Sequence, residues 1–433
     1  MATDQQIAWR AHARTALFSM SAAFITYCSM YAFRKPFSAG VYANLQLWGI
    51  DYKILLITVQ VIGYMLSKFV GIKIVAEMTA QRRILSILLL IGFSWLSLLG
   101  FAATPFPYNW IWLFFNGLPL GMIWGIVFSF LEGRRNTELL GAGMCVSFIV
   151  ASGLVKSVGK YLMDAFGCPE FWMPFFTGMV FVPPLLLGVW MLQRIPPPTE
   201  DDIAHRTARV PMDKKQRWAF FKAFAPGIVL MVGVYIALTV FRDLRDNFAV
   251  ELWALLGFAD SPQILVTAEI PIAVSVFGII GFMILIKNNR RAFYANLLVI
   301  MTGGVLLMLT TLLFEFKILS PAAWMILAGF GMYLSYVSFH TMLFERWIAH
   351  FQQQSNIGFL MYVADAFGYL GSVFILFFKN FGSKNLNWLS YISYISYFIG
   401  GITLLLGLSA FQYFRQKEKR MRGNATIIEI QPQ

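Results

Sequence analysis

The sequence predicts an all-α membrane protein whose twelve transmembrane helices form two pseudo-symmetric six-helix bundles. Three observations lead to this prediction: an apolar composition, twelve apolar stretches of membrane-spanning length, and an internal repeat. The chain of 433 residues is 58% hydrophobic and 13% charged, with a mean hydropathy of +0.67. Soluble domains carry about 25% charged residues, so this composition excludes an ordinary soluble protein. The 42 Phe and 13 Trp fit lipid-facing helices and interfacial belts.

The apolar stretches set the number of spans. An α-helix needs about 20 residues to cross a bilayer, and stretches of that length or more lie near residues 14–45, 53–75, 83–103, 109–131, 139–164, 171–194, 223–256, 262–286, 291–314, 321–345, 355–379 and 388–414. The first stretch is longer than the apolar region of a signal peptide, so we interpret it as a signal anchor. An even number of spans places both termini on the same side of the membrane.

The charges predict which side that is. Basic clusters lie on the side of the termini, at Arg10–Arg14, Arg82-Arg83, Arg134-Arg135, Arg194–Arg217, Arg290-Arg291, Arg346 and Arg415–Arg422. The opposite side carries the acids Asp51, Asp164, Glu170, Glu251, Asp260 and Glu315. By the positive-inside rule the basic side is cytoplasmic, and we expect a multi-pass protein of the plasma (bacterial inner) membrane. The net charge of +13 is therefore a topology signal and not evidence for nucleic-acid binding.

The longest hydrophilic stretch divides the spans into two sets of six. It runs from Pro196 to Lys222 and contains three consecutive prolines and a run of mixed charge. We therefore expect an N-terminal six-helix half at 1–195, a cytoplasmic linker at 196–222, a C-terminal half at 223–414 and a cytoplasmic tail at 415–433.

An internal repeat relates the two halves. The pattern Tyr27 to Phe33-Arg34 recurs as Tyr235 to Phe241-Arg242 at an offset of 208 residues, and the same offset aligns Arg82-Arg83 with Arg290-Arg291. Further matches follow in order with a slowly increasing offset, among them Glu132 with Glu345. Parallel six-helix repeats with a site between them are typical of the major facilitator architecture. The repeated arginines then predict a single clamp for an anion.

Two interpretations of Arg34 differ in where the first helix ends. A helix that ends near Phe33 would leave Arg34-Lys35-Pro36 in a surface loop and place two cations on the acidic side. A helix that continues to about Tyr42, kinked at Pro36, keeps Arg34 in the membrane, and the apolar residues 37–42 favour it. An intramembrane charge costs roughly 2.5–3.5 kcal/mol on insertion scales and marks a functional site by default.

The counterpart in the second half is embedded among acids. In Arg242-Asp243-Leu244-Arg245-Asp246, helical spacing makes Arg242 and Asp246 i,i+4 partners and places Arg242 and Arg245 on one face. One interpretation is a self-neutralised ion-pair cluster. The other makes Arg242 or Arg245 an anion ligand, with Asp243 and Asp246 positioning it or carrying coupling protons. Arg34 has no acid nearby in sequence, so an anionic substrate is its simplest counter-charge.

Other intramembrane polar residues complete the candidate set. Lys68 lies deep in the second span, where it either binds substrate or extends towards the surface. Asp365 lies near the middle of the eleventh span as a partner for a cavity cation or a proton carrier, with Lys156 and Glu269 as further coupling or ion-pair residues. His340 is interpreted as a core histidine, with a proton relay as the alternative. Glycines in spans four, five, ten and eleven indicate close helix contacts.

Local motifs give the chain a resemblance to a known family. The segment Tyr31-Ala32-Phe33-Arg34-Lys35 resembles the Tyr-x-x-Arg-Lys motif in helix one of the organophosphate:phosphate antiporters, a major facilitator family. The segment Ser67-Lys68-Phe69 resembles the Ser-Lys-Phe motif of their helix two. The resemblance implies phosphate binding by Arg34 and, through the repeat, by Arg242, and it gives Lys68 a part in the same site. Tyr27, Tyr235, Lys35 and Arg245 are further substrate-binding candidates.

The sequence departs from that family at three points. No histidine lies between residues 139 and 164, the loop after helix two keeps Arg82-Arg83 without the usual Gly-to-Asp-Arg pattern, and the helix-seven cluster carries two extra aspartates. Charge pairs that would latch the transport states are expected among Glu132, Arg134, Arg82, Arg83, Arg290 and Glu345. We expect an alternating-access transporter, an antiporter with inorganic phosphate or a proton-coupled carrier, acting as a monomer. A membrane sensor and a lipid or amphiphile transporter are the alternatives. The sequence shows no catalytic or metal-ligand spacing, so we expect that the protein is not an enzyme and that it binds no cofactor.

Overall fold

The computed structural model describes the chain except residues 1, 77, 133, 135–136, 198, 201, 203–213, 353–356, 383–386 and 431–433, and it describes no side chains at 2–12, 72–73, 76, 214, 357–359, 382 and 423–430. The α-helices of the first half are α1 Ala2–Tyr31, α2 Tyr52–Ala76, α3 Ala80–Ala103, α4 Ile111–Leu120, α5 Ile123–Phe128, α6 Thr137–Phe166, α7 Met173–Val180 and α8 Val182–Gln193. Those of the second half are α9 Lys214–Asn247, α10 Ala249–Leu255, α11 Ile264–Thr267, α12 Glu269–Ile284, α13 Asn289–Glu315, α14 Pro321–Ser338, α15 Phe344–His350, α16 Ile357–Gly382 and α17 Trp388–Ile430.

The helices account for the predicted spans. Within the described residues, ten helical segments are long and apolar enough to cross a membrane, and α7 with α8, which bend by 44°, form an eleventh. Helix α1 precedes them and packs along α6 and α8. The α4–α5 pair forms one of the ten, as does α14 with α15 and the π-helical turn Phe339–Leu343 between them. The prediction of an all-α membrane fold with two six-helix bundles is confirmed.

Helix packing repeats in the two halves. The first span of each half packs against the fifth and sixth spans of that half. In the first half α1 packs against α6 and α8, and in the second half α9 packs against α16 and α17. The halves meet along two seams, α2 against α16 and α6 against α11 and α12. At the second seam a Cβ added to Gly153 would lie 1.9 Å from the carbonyl oxygen of Leu265, so only glycine allows these two backbones to approach as they do.

The first span is not one helix, which corrects the prediction of a kinked helix reaching Tyr42. Helix α1 ends at Tyr31, residues 32–35 form a turn, and a short 3₁₀ helix follows at Pro36–Ala39. Pro36 has no backbone N–H, so it cannot donate the hydrogen bond that would continue the helix through this position. A small hairpin of β1 Gln46–Leu47 and β2 Ile50–Asp51 then leads into α2, with Gln46 opposite Asp51.

Two further boundaries concern the predicted linker and tail. The central part of the 196–222 linker, 203–213, lies outside the described residues, and α9 already begins at Lys214. The last helix, α17, does not stop at 414 but continues to Ile430, so the predicted tail is a helical extension over most of its length.

Candidate functional site

The turn at residues 32–35 carries Arg34, and its backbone is held by side chains of three other helices. Phe33 O accepts hydrogen bonds from Asn116 Nδ2 at 2.8 Å and from Ser94 Oγ at 3.2 Å. Arg34 O accepts one from Gln60 Nε2 at 2.7 Å. Irregular backbone at membrane depth is tolerated only where protein groups replace the missing helical hydrogen bonds. Helices α2, α3 and α4 supply those groups here.

Arg34 is a buried cation without an ion-pair partner among the residues that the structure describes. Its guanidinium carbon lies 3.7 Å from the centroid of the Tyr64 ring, and the residue is only 4% exposed. Among the described residues no carboxylate forms an ion pair with it, and its Nε atom is buried without a hydrogen-bond partner. A cation–π contact contributes about 2 kcal/mol when desolvated, which compensates only part of the cost of burying a charge.

Arg242 occupies the equivalent sequence position but a different environment. It lies within α9, which stays helical through this point, and its Nε and Nη2 atoms donate to Asp243 Oδ1 at 3.0 and 2.7 Å. Its Nη1 atom donates to the hydroxyl of Tyr336, and its guanidinium carbon lies 4.5 Å from the centroid of that ring. The predicted i,i+4 pair of Arg242 with Asp246 is wrong, because Asp246 is engaged by lysines instead.

Asp246 forms the centre of an ion-pair cluster that joins the two halves. Its Oδ2 atom lies 2.6 Å from Lys35 Nζ, in the turn after α1, and its Oδ1 atom lies 2.6 Å from Lys156 Nζ on α6. Ser152 donates a hydrogen bond to the same Oδ1 atom. Lys35 Nζ also donates to Asn247 Oδ1 at 2.8 Å. One carboxylate of the second half therefore holds two ammonium groups of the first half.

Arg245 belongs to a separate pair. Its Nη1 atom lies 2.8 Å from Glu269 Oε1 on α12, and its Nη2 atom donates to Met325 O at 3.2 Å. Of the two alternatives for the residue that faces the cavity, Arg242 lines it and Arg245 does not. The helix turns Arg242 towards the first half and Arg245 towards the second half's own core.

A small cavity lies between the halves where these residues converge. Its lining residues come from the end of α1, the turn after it, α6, α9 and α14, and they are Tyr31, Arg34, Lys35, Phe148, Arg242, Asp243, Asp246 and Tyr333. Lys156 pairs with Asp246 without lining the cavity itself. With it, the cluster contains four cations and two carboxylates, namely Arg34, Lys35, Lys156 and Arg242 with Asp243 and Asp246. The cluster therefore carries two surplus positive charges.

A second polar network lies along the α2–α16 seam. Lys68 Nζ is 2.9 Å from Asp365 Oδ2, and the hydroxyl of Tyr235 donates to Asp365 Oδ1. The Tyr235 hydroxyl lies 2.9 Å from that of Tyr336 and 3.3 Å from His340 Nε2. Since Tyr336 also contacts Arg242, the network reaches the central cavity. The structure thus places Lys68 in an ion pair within the membrane and not at the surface.

The remaining candidates lie away from the cavity. Tyr27 is buried against Tyr31, with ring centroids 5.6 Å apart, and does not line the cavity. Among the predicted latch residues, Arg83 donates to Ser129 O at 3.1 Å, Arg134 donates to Pro196 O, Arg290 Nε lies 2.7 Å from Glu418 Oε1, and Arg82 is exposed. Glu132 and Glu345 lie in the loop after α5 and at the start of α15.

The sequence did not predict one ion pair that joins the halves on the basic side. Arg346 Nη2 lies 2.8 Å from Glu138 Oε2, connecting α15 to the start of α6. The sequence analysis also did not identify Tyr64, Gln60 and Asn116. Gln60 and Asn116 could have been found, because a polar amide within an apolar span marks an internal contact.

The fold and this cavity define a multi-pass membrane protein of major facilitator architecture. A crystal structure of a D-xylose-proton symporter is similar to it, with a TM-score of 0.57 and 15% sequence identity over 91% of this chain and 96% of that chain. At this identity the likeness concerns the fold. Residues 36–417 match the model of a protein family described as "Family of unknown function (DUF5690)", and the chain belongs to that family. No curated protein matches the sequence.

Proposed function

We propose that the protein is a secondary transporter that moves a small anionic solute by alternating access, with the anion bound between Arg34 and Arg242. The observation that carries this proposal is Arg34, a buried cation with no acidic partner among the described residues, on the wall of a cavity between the two halves. An anion in that cavity supplies the missing counter-charge. Guanidinium groups bind carboxylate and phosphate oxygens in a bidentate manner, which suits them to this role.

The charge count limits the solute. The cluster around the cavity carries two surplus positive charges, so a solute with one or two negative charges neutralises it without adding a net negative charge. Inorganic phosphate and phosphate monoesters have this charge near neutral pH. The helix-one and helix-two motifs that resemble the organophosphate:phosphate antiporters point to the same class. Exchange for inorganic phosphate, or cotransport of protons through Asp365 or Asp246, are the coupling modes that fit.

Contacts between the halves on both sides of the cavity support alternating access. On the basic side Glu138 pairs with Arg346. On the acidic side Lys53 Nζ lies 2.5 Å from Glu251 Oε1, and the backbone N–H of Asp51 donates to Asn380 Oδ1 at 3.1 Å. Opening the cavity to one side requires breaking one of these sets while the other remains. The major facilitator fold is built for such rocking about a central site.

Transport by purified protein in proteoliposomes tests the proposal. Vesicles loaded with inorganic phosphate are assayed for uptake of radiolabelled phosphate and glycerol 3-phosphate. A hydrogen bond to a charged group contributes about 1.5–3 kcal/mol, so Arg34→Gln is expected to lower kcat/KM by about 10- to 100-fold. Arg194→Gln is the matched control, since Arg194 lies 4.2 Å from the Trp190 ring but outside the cavity. Uptake by Arg34→Gln equal to that of wild type would overturn the proposal.

A further inference from the structure

We propose that the transported anion also carries a hydrogen-bond donor, either an ammonium or a hydroxyl group, and that Asp243 selects for it. This inference rests on the proposed function and specifies the substrate class of the same site. It comes from two side-chain atoms of cavity-lining residues that are buried and have no hydrogen-bond partner in the described part of the chain.

The first of these atoms is an acceptor. Asp243 is 5% exposed, and its Oδ1 atom receives both hydrogen bonds from Arg242. Its Oδ2 atom is buried and has no hydrogen-bond partner among the described residues. Leaving a buried acceptor unsatisfied carries the full desolvation penalty of the group, and such atoms are rare in native structures. A donor group of a bound solute is the partner that this oxygen lacks.

The second atom is a donor, Arg34 Nε, which is also buried without a partner. Both residues line the same cavity, one from the first half and one from the second. A solute made only of acceptor oxygens satisfies Arg34 but brings a negative charge towards the carboxylate of Asp243. A solute with an anionic end and a donor satisfies both residues, and it also bridges the halves.

A comparison with the other buried aspartates of the two polar networks shows that the carboxylate oxygen without a partner is specific to Asp243. Both oxygens of Asp246 are engaged, by Lys35 on one side and by Lys156 and Ser152 on the other. Both oxygens of Asp365 are engaged as well, by Lys68 and Tyr235. Glu269 Oε2 also lacks a partner, but Glu269 does not line the cavity. Among the carboxylates that line the cavity, the unsatisfied acceptor in the described part of the chain is thus Oδ2 of Asp243.

Matched pairs of phosphate esters test the inference by calorimetric titration of purified protein at one pH. Phosphoethanolamine is compared with ethyl phosphate for the ammonium donor, and glycerol 3-phosphate with propyl phosphate for hydroxyl donors. Wild-type protein is expected to bind the donor-bearing member of at least one pair about tenfold more tightly, and the pair that shows it identifies the donor. In Asp243→Asn, Arg242 takes the amide oxygen and the amide nitrogen faces the solute, so the preference is lost or reversed.

The control is Asp164→Asn, which makes the same exchange of carboxylate for amide at an exposed residue outside the cavity and is expected to keep the preference. Equal affinities within both pairs in wild-type protein would overturn the inference and leave anion transport intact. The comparison in wild-type protein requires no variant to fold. Failure of all four esters and of inorganic phosphate to bind would instead overturn the proposed function, and this inference with it.

Discussion

Replacing Asp246 with asparagine removes the shared counter-charge of two buried lysines. Lys35 Nζ and Lys156 Nζ each lie 2.6 Å from this carboxylate, and both residues are almost fully buried. Removing one partner of a buried ion pair costs about 3–5 kcal/mol because an uncompensated charge remains. Here two charges remain, so Asp246→Asn is expected to cost at least that much. At about 1.36 kcal/mol per tenfold change, the unfolding equilibrium shifts by about 10²- to 10⁴-fold.

Substitution of one of the two lysines separates the effect of an unpaired charge on stability from the effect of lost packing. Lys156→Met keeps most of the side-chain volume and leaves Lys35 and Asp246 as one neutral pair, so its cost is expected to be smaller than that of Asp246→Asn, because no buried charge loses its only partner. Unfolding is followed by tryptophan fluorescence in detergent titrated with sodium dodecyl sulfate. Equal destabilisation by the two substitutions, or a larger effect of Lys156→Met, would refute the assignment of Asp246 as the shared partner.

An anion should partly rescue the asparagine variant. The cluster around the cavity then carries three surplus positive charges instead of two, and a bound anion stabilises the folded state by RT ln(1 + [L]/Kd). Inorganic phosphate is expected to raise the unfolding midpoint of Asp246→Asn more than that of wild type. An equal response to phosphate and to the same ionic strength of chloride would contradict binding in the cavity.

Two other perturbations follow from the seams between the halves. Lys68→Met and Asp365→Asn are each expected to destabilise by about 3–5 kcal/mol and the double variant by less than either, as measured by unfolding midpoints; additive costs would show that the pair is not formed. Gly153→Ala is expected to lower the thermal midpoint by the equivalent of about 1–3 kcal/mol, because its Cβ would overlap Leu265 O. Gly92→Ala, with open space around the new Cβ, is the control, and equal midpoints for the two alanine variants would show that α6 and α11 are not in contact.

Much of the fold could be predicted from the sequence because apolar stretches of membrane length and basic loops are local signals. The end of α1 could not. Pro36 is compatible with both a kinked helix and a helix end, and the choice depends on whether other groups satisfy the freed carbonyls. Gln60, Ser94 and Asn116 do so, and they lie on helices whose arrangement is not visible in the sequence of the first span.

The sequence predicted the cations of the candidate site better than it predicted their ion-pair partners. The repeat singled out Arg34 and Arg242, and the structure places both on one cavity. Helical spacing suggested that Arg242 and Asp246 would pair, but spacing considers only one helix. In the folded chain two ammonium groups from other elements reach Asp246, and two lysines near one carboxylate outcompete a single arginine on the same helix. Arg242 then binds its immediate neighbour, Asp243.

The side-chain bonds to the turn after α1 have a mechanical consequence. They attach the backbone at Arg34 to α2, α3 and α4, all in the first bundle, whereas Arg242 lies in the second bundle, in the part of α9 that follows its kink at Phe224. If the bundles rotate as rigid bodies, as the proposed alternating access requires, each arginine moves with its own bundle. The distance between the two guanidinium groups then changes with the rotation, and a distance measured between probes on the two bundles would follow the proposed cycle.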